Sequence, residues 1–270
     1  MSIDIKKPVN LALSDPKWLE KLFIGGLFYF VFQVMNSIIS LFNYFIRNNI
    51  YISTVPDATL FSSIIFNFAI LILFIFLTAI PFGYVLQSVH NQVNETGEFL
   101  PDWGDKMYFY FINGIKFLFI KFIYVVILFF LIMIVSLVGF AIYSTFITNI
   151  AVAYSSIILF TTIGILITLS YCLILPLIFI SFAENYRITD AFNIKKYIRI
   201  IYNNIYDYIL CDIAVFGLII LQIFLSILLV CTCIGILLIP FLYLPVFLII
   251  INLFTQTYFN YKKASGKELT

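Results

Sequence analysis

Apolar residues run along this chain in six long blocks, separated by short polar stretches. A helix needs about 20 apolar residues to cross the hydrocarbon of a bilayer. Blocks at about 22–46, 60–88, 112–139, 151–182, 207–231 and 236–259 all meet that length. No water reaches a peptide group at that depth, so each block is expected to close its backbone hydrogen bonds within a helix.

The polar stretches fall into two kinds. The connections 47–59, 140–150 and the tight turn Thr232–Gly235 carry only Arg47 and Asp57 as charges. Fourteen of the fifteen Lys and Arg residues lie instead in four other segments. These are Lys6, Lys7, Lys17 and Lys21; Lys106, Lys116 and Lys121; Arg187, Lys195, Lys196 and Arg199; and Lys262, Lys263 and Lys267. Each gap between them is long enough to cross a bilayer and return, so all four can face one compartment. Positive charge stays on the cytoplasmic side during insertion, which predicts six spans with both termini cytoplasmic.

Composition excludes a soluble fold. The 270 residues are 63% hydrophobic and 10% charged, with mean hydropathy +1.11, whereas soluble domains carry about 25% charged residues. The opening MSIDIKKPVN stays polar to about Glu20, unlike a cleavable leader, so the first span is expected to be a retained anchor. The chain reads as one polytopic domain, 1–270: an interfacial cytoplasmic segment 1–21, a six-span bundle 22–259 and a tail 260–270. The cysteines at 172, 211, 231 and 233 lie in or beside apolar spans and suggest no disulfide framework.

Helix signals and repetition refine this all-α architecture. Asp15-Pro16-Lys17-Trp18 reads as a helix start, with Trp18 suited to the headgroup zone. Asp190 can cap a helix in which Ala191, Ile194, Ile198, Ile201 and Ile205 recur at spacings of 3 or 4, an amphipathic segment lying in the interface. Ile80-Pro81-Phe82 is echoed by Leu175-Pro176-Leu177, and Gln87…Asn91…Gly97-Glu98 by Gln256…Asn260…Gly266-Lys267-Glu268. The implied unit is an interfacial helix followed by an outgoing and a returning span, three times over, giving about three interfacial helices.

Several segments resemble a family of uncharacterised prokaryotic multi-pass membrane proteins known only as a domain of unknown function. They are Asp15-Pro16-Lys17-Trp18…Lys21-Leu22-Phe23-Ile24-Gly25-Gly26, Pro81-Phe82-Gly83-Tyr84-Val85…Gly97-Glu98-Phe99-Leu100-Pro101-Asp102-Trp103, Asn113-Gly114-Ile115-Lys116 and Ala191-Phe192-Asn193. The resemblance implies a polytopic architecture and an inner loop after the second span. It implies no activity, cofactor or catalytic residue.

Candidate chemistry is sparse. Gln33, Asn36, Ser40, Asn43 and Arg47 step along one face of the first span. Amides in lipid are costly unless paired, so this stripe lines a pathway or an amphiphile site, or bonds to neighbouring helices at about 0.6 kcal/mol per contact. Thr161, Gly164, Thr168 and Tyr171 offer a second small or polar face that could be its partner, with Gly164 allowing close approach. The repeat aligns Lys116 with Asp207 and Lys121 with Asp212, which suggests charge pairing between repeats; the alternative is that each side chain snorkels to the interface.

The loop holding Glu95, Glu98, Asp102, Trp103 and Asp105 concentrates acids. It could dock a partner or a cation. The favoured reading is structural: Gly97 ends one helix, Pro101 prevents its continuation and Asp102 or Asp105 starts the next, with Trp103 as interface anchor. Cys231 and Cys233 make a poor metal site, and His90, the sole histidine, reads as a boundary residue. No nucleophile elbow, phosphate loop or zincin helix occurs. The expectation is therefore a non-catalytic module without cofactor or metal, partnered by the bilayer and by another membrane protein or a second copy, not by nucleic acid. The alternative is a carrier or channel using the polar face of the first span.

Overall fold

The computed structural model describes residues 3–50, 56–96, 98–104, 106–145, 150–232 and 235–267, with side chains outside 42–43, 45–66, 69, 150 and 264–267. Eight α-helices are described: α1 (Lys7–Leu13), α2 (Trp18–Ile50), α3 (Pro56–Val93), α4 (Met107–Thr145), α5 (Ile150–Asn185), α6 (Ile194–Asn203), α7 (Ile205–Val230) and α8 (Pro240–Lys267). Short 3-10 turns cover Ile188–Phe192 and Gly235–Leu238. Six of these segments are long and apolar enough to span a bilayer: Trp18–Leu41, Ile70–Val93, Met107–Thr145, Ala151–Asn185, Ile205–Val230 and Gly235–Lys263. The protein is an all-α, six-span integral membrane protein.

Lipid as solvent explains the surface. Phe129 on α4 and Phe216 on α7 are 62% and 66% exposed, which water would penalise and acyl chains do not. The 39 residues of α4 are about 58 Å long at 1.5 Å per residue, against a hydrocarbon core of about 30 Å. The long helices therefore overrun the core, and their surplus turns reach the polar zone.

Three helices form the centre. α3, α5 and α8 touch one another, while α2 lies against α8 and α3, and α4 against α3 and α5. α7 packs on α8 and reaches α5 through the Tyr208 hydroxyl, which donates to Leu173 O. Leu173 sits a turn before Pro176, where a proline interrupts the backbone ladder. Each central helix has one such internal proline: Pro81, Pro176 and Pro245. Round the bundle the order is α2, α3, α4, α5, α7, α8 and back to α2. Beside the prolines, Phe82 and Phe179 both meet Phe247 edge-on, at 5.5 and 5.6 Å. Phe117 of α4 closes the ring, 5.8 Å from Phe82 and 4.7 Å from Phe179.

The α3–α4 crossing depends on two glycines. A Cβ on Gly83 would lie 1.8 Å from Tyr110 O, and one on Gly114 would lie 1.8 Å from Ala79 O. Each helix thus presses its backbone into the gap that the other's missing side chain leaves, as small residues allow between membrane helices.

Two details differ from the sequence reading. Only two short polar-end helices, α1 and α6, are described rather than three, because the chain before α4 is held as an irregular loop by side-chain contacts. Asn193, not Asp190, caps α6, accepting from Lys196 N at 3.1 Å; the 3-10 turn occupies the stretch around Asp190. The Asp15 start stands: its Oδ1 accepts from Lys17 N at 2.7 Å just before α2.

Gly83→Val and Gly114→Val are each expected to lower stability by about 1–3 kcal/mol through overpacking, whereas Gly164→Ala, with nothing within 4 Å of its Cβ position, should change little. Thermal unfolding of the purified variants followed by intrinsic fluorescence checks the contrast.

Candidate functional site

Lys21, in the first turns of α2, organises one end of the bundle. Its Nζ donates to Asp15 Oδ2 at 2.7 Å, Glu98 Oε2 at 3.2 Å and Leu100 O at 2.7 Å, and lies 3.0 Å from Asp102 Oδ1. The Lys21 side chain is only 5% exposed and that of Asp15 10%, whereas Glu98 and Asp102 are 73% and 74% exposed. A buried ammonium is tolerable only with counter-charge and full hydrogen bonding, so the acid-rich loop folds onto it. Burial alone would raise the Asp15 carboxyl. Hydrogen bonds from Lys21 and from Lys17 N, with the attraction of both ammonium groups, instead hold it below its ordinary 3.8.

The loop is also sewn to α2, α3 and α4. Trp103 is buried; its Nε1 donates to Lys21 O at 2.7 Å, and its indole stacks 4.0 Å from the Tyr84 ring at 6°. Ser88 donates to Phe99 O at 2.6 Å, Asn91 to Glu98 O at 2.8 Å, and Tyr110 to Asp102 O at 2.6 Å. α3 ends at Val93, and Glu95 takes a left-handed backbone with φ 53°.

The described acids of this loop have partners within the chain. Glu98 and Asp102 turn toward Lys21, Trp103 packs inward rather than anchoring in headgroups, and Glu95 meets Lys263 at 3.6 Å. Gly97 and Asp105 lie outside the described residues. Lys21 was recognisable in sequence only as one basic residue among many; its signal was a lysine four residues after Lys17, just inside an apolar span.

A second polar knot joins the ends of α3, α5, α6 and α8. Glu184 accepts from Tyr258 at 2.6 Å and pairs with Lys262 at 2.8 Å and Lys196 at 3.3 Å. Its neighbour Tyr186 adopts φ 55°, donates to Gln87 Oε1 at 2.8 Å and lies against the His90 ring. Burial pushes the Tyr186 phenol above its usual range. His90 Nδ1 is 2.9 Å from Ala183 O, a contact that ties α3 to α5. Gln256 donates to Asn252 and to Asp4 O, and Asn252 donates to Gln92. The segment before α1 and the last turns of α8 therefore meet at this end of the bundle.

Between the start of α2, the loop and the start of α4 lies an open vestibule of about 910 Å³. Gln87, His90 and Asn91 of α3 line it together with the charged residues Lys17, Glu20, Lys21, Glu98, Asp102 and Lys106.

The remaining sequence candidates lie apart from it. Gln33 and Asn36 border a cavity of about 440 Å³ with Tyr29, Phe32, Ile239 and Tyr243, between α2 and the start of α8. Ser40 donates to Asn36 O of its own helix, and the Asn43 and Arg47 side chains lie outside the described residues. Thr161, Gly164 and Thr168 line a separate groove of about 720 Å³ against α4, and Thr168 donates to Gly164 O. They face α4 rather than the stripe on α2, and the chain keeps open space at Gly164.

The proposed charge pairs are not formed. Among the described residues no ion pair joins Lys116 or Lys121 to Asp207 or Asp212; Lys116 Nζ is 3.4 Å from Asn113 Oδ1 and Lys121 Nζ sits 5.5 Å above the Phe82 ring. α4 and α7 occupy different positions in the cyclic order, which separates them. Cys233 lies outside the described residues.

A family model described as protein of unknown function (DUF4013) matches residues 65–231. The chain belongs to this family. The DUF4013 match runs from within α3 to the residue after α7, so it takes in the loop and Glu184, whereas Lys21 and α8 lie outside it. No curated protein and no solved structure matches the chain.

Lys21→Met is expected to cost about 3–5 kcal/mol, the penalty of breaking a buried pair from one side, and adding Asp15→Asn should recover part of the loss. Thermal unfolding of single and double variants measures both. The depressed Asp15 value fixes a sign as well: its contribution is complete above the ordinary 3.8 and is lost as pH falls through the lower folded-state value. Stability is thus expected to hold from about pH 7 to about pH 5 and then drop in acid, with a shallower acid limb in Asp15→Asn.

Proposed function

We propose that this chain is a non-catalytic module of the cytoplasmic membrane, with both termini in the cytoplasm, that engages membrane lipids or partner membrane proteins at its polar end. The observation that carries the reading is an open, charged vestibule at one end of a bundle whose centre is filled by Phe82, Phe117, Phe179 and Phe247. The clustering of Lys and Arg at that end supports the orientation. Its charged groups are also committed to one another, Lys21 among three carboxylates and Glu184 between two lysines. Such balance suits rigid recognition better than proton transfer. A carrier would need a route along α2, but the cavity at Gln33 and Asn36 shares no lining residue with the vestibule.

Extracted into detergent-free nanodiscs, the chain is expected to carry bound lipid or a stoichiometric membrane partner. Proteoliposomes containing it should show no flux of cations, anions or amino acids above empty vesicles; saturable flux would contradict the proposal. An epitope placed after Thr270 should be reached by antibody only in permeabilised cells.

A further inference from the structure

Helix α6 joins two spans. It follows α5 after the 3-10 turn, and one residue, Asn204, separates it from α7. Backbone angles of φ −128° and ψ 37° at Asn204 break the helix there, just ahead of the span Ile205–Val230. α6 is thus held where the hydrocarbon begins. Tyr197 and Ile200 are fully buried against the bundle. The Tyr197 hydroxyl donates to Asp190 O at 3.0 Å, and Lys196 pairs with Glu184.

The rest of the α6 circumference is open and graded. At 3.6 residues per turn each residue adds about 100°. With Ile194 at zero, Ile198 falls at about 40°, Tyr202 at about 80°, Lys195 at about 100° and Arg199 at about 140°. The buried Ile200 and Tyr197 fall at about 240° and about 300°. Ile194, Ile198 and Tyr202 are 48%, 58% and 81% exposed, and Lys195 and Arg199 are exposed beside them. The sequence around the helix is apolar, aromatic, basic. A path from acyl chains through the aromatic belt to the phosphate layer meets the same order.

Lys195 and Arg199 stand one turn apart, about 6 Å along the axis. Among the described residues, the side chain of neither has an ion pair or a hydrogen bond. The acids of this corner are engaged or lie elsewhere. Glu184 holds Lys196 and Lys262, and Asp190 Oδ2 accepts from Asn185 at 3.0 Å. Asp207 and Asp212 lie beyond the break, on α7.

We propose that α6 binds an anionic phospholipid of the cytoplasmic leaflet, one phosphodiester bridging Lys195 and Arg199 while Ile194 and Ile198 lie among acyl chains. Arg199 offers paired N–H donors that match phosphate oxygens. A zwitterionic headgroup brings its own cation beside the phosphate, and no carboxylate on this sector meets that cation, so a net negative headgroup is preferred. The isoleucines commit the ligand to the membrane, since a free phosphate gains nothing from them. The proposal rests on the reading of the polar end as cytoplasmic and lipid-engaging.

The test is native mass spectrometry of the full chain titrated in detergent with dioleoyl phosphatidylglycerol or phosphatidylcholine. The glycerol lipid should bind about tenfold more tightly. The combined Lys195→Gln and Arg199→Gln variant should bring the two lipids within about twofold of each other, with its melting temperature unchanged. Lys6→Gln with Lys7→Gln, which removes the same charge beside α1, should leave the preference intact. Equal retention of the two lipids by the wild-type chain, an unaltered preference in the folded α6 variant, or an equal loss in the Lys6 and Lys7 variant overturns the proposal. Displacement of the lipid by an equal concentration of inorganic phosphate or of hexaglutamate also overturns it, by assigning the basic sector to a soluble anion or to an acidic protein segment. Flux through proteoliposomes with the preference intact would remove the module reading and leave this site standing.

Discussion

An ammonium group buried at the end of a lipid-embedded helix has to carry its counter-charges with it. Lys21 draws on carboxylates from the turn before its own helix and from the loop after α3. That demand gives the loop its shape, and the loop in turn forms one wall of the vestibule. Neutralisation in a poorly hydrated place thus ties α2 to the loop, beside its aromatic contacts with α8 and α3.

The remainder of the bundle follows from the opposite constraint. Where lipid surrounds the helices there is no hydrophobic drive to pull them together, so contact must come from close packing. Gly83 and Gly114 supply it between α3 and α4, and interlocked phenylalanines supply it at the centre. Polar groups that cannot be satisfied at that depth are gathered at one end, where Glu184, Tyr186 and His90 cross-link helices that the sequence places far apart. A tyrosine held at φ 55° belongs to such a knot: Gln87 and the surrounding rings fix it in a conformation that it would seldom adopt unsupported.

Span number and helix content were legible in the sequence, because each depends on long runs of one residue class. The Asp15 helix start was legible too, since capping is local. What sequence periodicity could not convey was which polar residues meet. Aligning repeats put Lys116 opposite Asp207, but the cyclic order of helices keeps α4 and α7 apart. The loop acids looked available because their partner, Lys21, stands 77 residues away from Glu98. Trp103 looked like a headgroup anchor for the same reason, its acceptor being a backbone carbonyl of α2. Long-range pairing is a property of the packed bundle, and single residues carry little sign of it.

The central claim, that the loop after α3 is drawn inward onto Lys21, is most directly tested through its tryptophan. The chain has two, Trp18 and Trp103, so Trp18→Phe isolates the loop's indole. In lipid nanodiscs the account predicts blue-shifted emission that iodide and acrylamide barely quench, with emission moving to the red and quenching rising when Lys21→Met is added. Emission at the wavelength of free indole, quenched as readily as in a short peptide while Lys21 is intact, would contradict it.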